Sequence, residues 1–198
     1  MKYLLPGMGA TSAMYGDPWR SLCDSNAVDW PEYCGEKTVG DVADRLIDEY
    51  GICASDMVVG SSLGGLVALE IHFRLSLRHV VLVGSAVSRE EINTFLIAMA
   101  PLVKVTPMRM IQHLAGKGCS QVSAMFADVD AEFVRAMCVA VSKWCGYDGS
   151  MKAVSRIHGQ RDVVIKCPKD AHIIAGGGHL IAMTHAEDCL EIINEVSC

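Results

Sequence analysis

A serine set among glycines is the first sign of chemistry in this chain: Gly60-Ser61-Ser62-Leu63-Gly64, followed by Gly65. The string fits G-x-S-x-G with Ser62 at its centre. An apolar run, Asp56 to Gly60, precedes it, and an apolar helical pattern from about Leu63 to Leu75 follows. A serine on a sharp strand-to-helix turn needs neighbours without side chains, because backbone packs close on both sides. Such a turn would lift the hydroxyl above a sheet and put a helix N-terminus beneath it, where developing negative charge is stabilised. The chemistry is attack by an activated hydroxyl. The competing reading is a glycine-rich turn that binds phosphate or only packs. Ser61 is one residue out of register and reads as a packing neighbour.

Three further strings could serve such a serine. Ile173-Ile174-Ala175-Gly176-Gly177-Gly178-His179 ends a strand in glycines and then presents a histidine, the natural general base. Its competing reading is a capping histidine on a loop. Ile157-His158-Gly159-Gln160-Arg161-Asp162 follows the penultimate strand, where an acid can reach that base and fix its tautomer. Asp128 and Asp130, in a helical region, are the competing acids; Asp162 is preferred for its strand-end position. Leu4-Leu5-Pro6-Gly7-Met8-Gly9 follows the first strand. Acyl transfer needs two N–H donors aimed at the oxyanion. The amides of Met8 and Leu63 are the expected pair, although an ordinary tight turn would read the same way. The order Ser62, Asp162, His179 is one of the three chain orders known for this constellation. His72, His79, His113, His172 and His185 read as surface or satisfied core residues. His158 reads as a histidine bonded within its own turn.

These residues need a scaffold, and the chain alternates strand and helix in the manner of a parallel α/β sheet. Strands are predicted at Tyr3 to Leu5, Ala27 to Trp30, Asp56 to Gly60, His79 to Gly84, Ala153 to Ile157 and His172 to Ala175. A helix is predicted from Thr38 to Tyr50, with Thr38 and Asp41 at capping-box spacing and Gly51 as the stop. A closing helix is predicted from about Thr184 to Val196. Residues 87–151 differ: they are apolar, Met-rich and helical, with starts at Ser88-Arg89-Glu90-Glu91 and Asp130-Ala131-Glu132. The expectation is one domain over residues 1–198, with 87–151 a helical cap inserted in it.

Composition narrows the function classes. The chain has 198 residues, is half apolar and carries a net charge of −6. An acidic chain without a Lys/Arg cluster has no footprint for nucleic acid or for an anionic membrane. No run is long enough for a signal peptide or a membrane span. The nine cysteines are odd in number, scattered and without a C-x-x-C pair. They read as free thiols in a reducing cytoplasm. No histidine makes a metal-ligand spacing, so no metal or cofactor is expected.

Taken together, the Pro6-Gly7-Met8-Gly9 loop, the Gly60 to Gly64 elbow, the Gly159-x-x-Asp162 string and Gly178-His179 resemble the α/β-hydrolase superfamily. They resemble most its small bacterial esterase-like members. The resemblance implies a three-layer α/β/α sandwich of about six parallel strands, in spatial order 2-1-3-4-5-6. Against the family pattern the chain opens at what would be the third strand, without the leading hairpin. It also carries Pro6 where many relatives have histidine. Only fourteen residues, His158 to Ala171, connect the last two strands, which barely suffices for a parallel crossover.

The expected activity is hydrolysis of a small ester or thioester through an acyl-enzyme. The same residues would serve amide or carbon–carbon cleavage, and the fold could also host a non-catalytic ligand-binding protein. In the cap, Phe95, Met99, Met108, Met110, Met125, Phe126, Phe133 and Met137 could line an adaptable apolar pocket or form the cap's own core. Arg89, Lys104 and Arg109 could meet a substrate carboxylate or simply be surface charges. The partner is a small, partly apolar acyl substrate; both monomer and homodimer fit the sequence.

Overall fold

The computed structural model describes residues 1–93 and 130–197. Six strands are found there: β1 (Lys2–Leu5), β2 (Ser25–Ala27), β3 (Met57–Ser61), β4 (His79–Val83), β5 (Val154–Gly159) and β6 (His172–Ile174). They pair in parallel in the order β2-β1-β3-β4-β5-β6. The helices are α1 (Val39–Tyr50), α2 (Leu63–Leu75), α3 (Ala131–Lys143), α4 (Ile181–Thr184) and α5 (Ala186–Ser197).

The strand side chains explain the layering. Successive residues point to opposite faces. Tyr3, Leu5, Val58, Val80 and Leu82 pack with Val42 and Leu46 of α1, Leu66 and Leu69 of α2, and Phe133 and Met137 of α3. Leu4, Met57, Val59, Val81, Val83, Ile157 and Ile174 face the other way, onto Trp19, Ile181, Leu190 and Ile193. Each face of the sheet is therefore covered, giving the three-layer sandwich. Covering both faces is why β3 and β4 are apolar throughout rather than alternating.

The neighbouring helices α1 and α2 differ in character. α1 is amphipathic and buries Val39, Gly40, Val42, Ala43 and Leu46. Its capping box forms as the spacing predicts: Thr38 accepts from the Asp41 amide, Asp41 reaches back to the Thr38 amide, and Gly51 closes the helix in the left-handed region at φ 63. α2 is buried on almost all sides, from Leu63 to His72. It packs on both the sheet and α1. Its polar residues are confined to Glu70, to Arg74, which pairs with Glu70 and with Asp44 of α1, and to His72, buried near its end.

Several boundaries move. β2 occupies Ser25–Ala27 rather than Ala27 to Trp30. Its register on β1 ends at Leu4↔Ala27, and Trp30 turns away to bond the Gly7 carbonyl. The closing helix is α5, which starts at Ala186 rather than Thr184, and a separate short helix, α4, precedes it. Ser88 opens only a short 3-10 turn, Arg89–Glu91. The connection from Gln160 to Ala171 contains no helix. Backbone bonds to the segment after that turn support it: the Asn93 amide donates to the Val164 carbonyl at 2.9 Å, and the Lys166 amide to the Glu91 carbonyl at 2.7 Å. Among the described residues no helix is long and apolar enough to cross a membrane.

Candidate active site

The three residues singled out as nucleophile, base and acid stand together at the C-terminal edge of the sheet. Ser62 follows β3 directly and precedes the first residue of α2. Its backbone sits at φ 51, ψ −115, a strained conformation for a residue with a side chain. Two close approaches hold it there. A Cβ on Gly60 would lie 2.2 Å from the Gly64 carbonyl oxygen, and one on Gly64 would lie 2.4 Å from the Leu5 carbonyl oxygen. Hydrogen bonds complete the clamp: the Ser62 amide donates to the Val83 carbonyl at 3.1 Å, and the Ser85 hydroxyl donates to the Ser62 carbonyl at 2.7 Å. Ser61 is buried and out of line, as its register implies.

His179 lies 3.0 Å from the Ser62 hydroxyl through Nε2 and 2.8 Å from Asp162 Oδ2 through Nδ1. The Asp162 side chain is fully buried, and that of His179 is partly exposed. Asp162 Oδ1 accepts the amides of Val164 at 2.8 Å and Ile165 at 3.0 Å. Burial pushes the Asp162 pKa up. Bonds from His158, His179 and the Ile165 amide outweigh that and hold it well below the usual carboxylate range. An ionised Asp162 can only accept, so Nδ1 of His179 carries the proton and Nε2 offers its lone pair to the serine hydroxyl. A line of this kind can take the serine proton as the oxygen attacks an acyl carbon.

The Pro6-Gly7-Met8-Gly9 loop borders the serine. The Gly7 carbonyl accepts the Trp30 indole N–H at 3.1 Å and the Ala10 amide at 3.1 Å. The Gly7 amide points at the Met14 sulfur, 3.4 Å away. Tyr15 anchors the strand end by donating to the Leu5 carbonyl at 2.6 Å. Among the described residues, no acceptor takes the Met8 or Leu63 amide. A cavity of about 130 Å³ is lined by Gly7 to Ala10, Met14, Ser61, Ser62, His179, Leu180 and Met183.

Other candidates fall elsewhere. Asp130 caps α3, accepting the Glu132 amide at 2.8 Å and the Tyr33 amide at 3.1 Å, and takes no part in the serine line. Phe133 and Met137 are fully buried in the core, Phe133 stacked on Trp30 at 5.3 Å. Arg89 lies in the 3-10 turn and is exposed. Phe95, Met99, Lys104, Met108, Arg109, Met110, Met125, Phe126 and Asp128 lie outside the described residues. Sequence reasoning missed the supporting cast of Trp30, Tyr15 and Ser85, which all bond backbone carbonyls near the site. His158 bonds within its own turn, as read from the sequence, through the Ile165 carbonyl.

The fold is shared with many solved structures. An enol-lactonase from Burkholderia xenovorans LB400 is similar with a TM-score of 0.79 and 15% identity, over 98% of this chain and 90% of that one. A thermophilic esterase from Thermogutta terrifontis gives 0.75 and 16%, over 98% of this chain and 88% of that one. The N-acyl homoserine lactonase AidH gives 0.74 and 16%, over 98% and 87%. At these identities the likeness carries the fold alone. No curated protein matches the sequence. A family model, that of the alpha/beta hydrolase family, matches residues 3–192. That is nearly the whole chain, and the protein belongs to the alpha/beta hydrolase family.

Proposed function

We propose that this hydrolase cleaves a small carboxylic ester or thioester through an acyl-enzyme, with Ser62 as nucleophile, His179 as general base and Asp162 as acid. The carrying observation is the continuous line from Ser62 Oγ to His179 Nε2 at 3.0 Å and from His179 Nδ1 to Asp162 Oδ2 at 2.8 Å. In the first half-reaction Ser62 Oγ bonds to the acyl carbon while its proton passes to Nε2. The carbonyl electrons move onto the oxygen, and the amides of Met8 and Leu63 receive that charge. The tetrahedral centre then expels an alcohol or thiol, which takes the proton from Nε2. In the second half a water gives its proton to Nε2, attacks the same carbon, and Ser62 leaves with the proton restored.

Two observations support the details. The Met8 amide is free of acceptors among the described residues, and Met8 lines the same cavity as Ser62. That cavity is small and edged by Met14, Leu180 and Met183, which suits a short, partly apolar acyl group. Relatives of the same fold include proteins named as an esterase and as lactonases, which favours an ester over an amide. We extend the reading to residues 87–151 as a helical cap beside the site. Its helix α3 touches the oxyanion loop, the Cys138 thiol standing 3.5 Å from the Met8 sulfur. The scattered, odd-numbered cysteines favour a reducing cytoplasm as the compartment.

The test is intact mass after exposure to a fluorophosphonate, for the wild type and Ser62→Ala. One adduct is expected on the wild type and none on the variant, followed by turnover of an ester or thioester that Ser62→Ala abolishes. A folded wild type that takes no adduct, or a variant that labels equally, overturns the assignment.

A further inference from the structure

Asp162 has a second histidine on it. His158, in β5, is 1% exposed. Its Nε2 bonds the Ile165 carbonyl at 3.2 Å and stands 3.3 Å from Asp162 Oδ2, the same oxygen that receives His179. Both neighbours of Nε2 are acceptors, so this nitrogen must carry a proton. One N–H is thus shared between the first and the last residue of the loop 162–165. The amides of Val164 and Ile165 in that loop hold the other carboxylate oxygen. Among the described residues, the titratable side chains in contact with Asp162 are His158 and His179. His179 in turn meets Asp162 and Ser62.

We propose that His158 is a positioning residue for the reaction: its Nε2–H closes the acid loop and fixes the Asp162 carboxylate in the orientation that His179 requires. The proposal rests on reading Asp162 as the acid. One consequence separates it from simple packing. The side chain of Asp162 is fully buried, so water cannot replace a donor lost there, and the carboxylate loses one of the contacts that fix its rotation towards His179.

The experiment uses the full chain and p-nitrophenyl acetate, with kcat and KM measured for each variant. His158→Met keeps the bulk and removes the donor; His158→Gln places an amide N–H close to the position of Nε2. The expected result for His158→Met is a fall in kcat of about ten- to a hundredfold, the rate equivalent of one charge-assisted hydrogen bond. KM should stay nearly constant, and His158→Gln should restore most of kcat. A folded His158→Met with wild-type kcat overturns the proposal. Asp162→Asn is run in parallel. If it keeps wild-type activity, the acid assignment itself fails. If it is crippled while folded His158→Met is normal, only the role of His158 fails. Should His158→Met not fold, nitrogen NMR of ¹⁵N-histidine-labelled wild type decides. A protonated Nε2 on His158, whose shift responds to Asp162→Asn, supports the proposal; a bare Nε2 or an unresponsive one overturns it.

Discussion

At Ser62 the chain is held by backbone against backbone; at Asp162 it is held by donors against a charge. The elbow keeps a serine at φ 51 because Gly60 and Gly64 let main chain approach where any Cβ would collide. Crowding reaches only the start of the acid loop, where a Cβ on Gly159 would lie 2.2 Å from the Gly178 carbonyl oxygen, and Asp162 itself, unlike Ser62, takes no positive φ. The loop keeps a buried carboxylate in place because Val164, Ile165, His158 and His179 all present N–H groups to it. Steric support fails abruptly when volume is added. Electrostatic support fails when a charge or a proton is removed, while the shape survives. The two ends of one hydrogen-bonded line should therefore break in different ways.

The largest effect should come from the electrostatic end. Asp162→Asn keeps the volume but favours the wrong tautomer of His179, and turnover should fall by about 10⁴-fold. Steady-state kinetics on a folded variant checks this; near-normal turnover would sink the acid assignment. The same pair of proteins carries a pH signature. A carboxylate whose folded pKa is depressed stabilises the fold above its unfolded pKa of about 3.9 and loses that contribution as pH falls through the lower folded value. The direction of the Asp162 shift then requires a stability gap over Asp162→Asn that is full above about pH 5 and narrows in acid. Urea unfolding at a series of pH values measures the gap, and one that widens in acid would contradict the sign.

The steric end should show itself in stability. Gly64→Ala puts a methyl 2.4 Å from the Leu5 carbonyl oxygen, main chain that cannot yield cheaply. Loss of about 3 kcal/mol or more is expected, with the elbow displaced. Urea unfolding again reads it, and a loss under half that would mean the elbow has slack. The smallest effect should come from a residue outside both regions. Asp130→Ala removes the cap of α3 and should cost about 1 kcal/mol while leaving kcat unchanged. A large drop in kcat would mean that Asp130 acts at the serine after all.

The same contrast explains what could be read from the residues alone. Crowding leaves a trace in sequence, because only glycine answers it; Gly60, Gly64 and Gly65 made Ser62 conspicuous. Caps leave one too, as Thr38, Asp41 and Gly51 did for α1. The buried runs of β3 and β4 marked those strands, and the strand order came from the resemblance of the strings to the α/β-hydrolase superfamily. Bonds to backbone carbonyls leave no trace, since any carbonyl looks alike in a sequence. For that reason Trp30 on Gly7 and Ser85 on Ser62 were invisible. β2 was misplaced for a related cause: Trp30 looked like a strand residue but serves a loop.

The contact between Ser62 and His179 joins residues 117 apart in the chain. Every strand pairing beneath it is parallel, so each crossover must close before that contact can form. Parallel pairings of this kind carry a high loop-closure cost and form late in folding. With Ser62 as the proposed nucleophile, its labelling is therefore a reporter of assembly. Denatured or partly collapsed chains contain the same hydroxyl, but it lacks the imidazole that would activate it. In a refolding experiment, the time course of labelling would follow completion of the whole sheet rather than formation of any single helix.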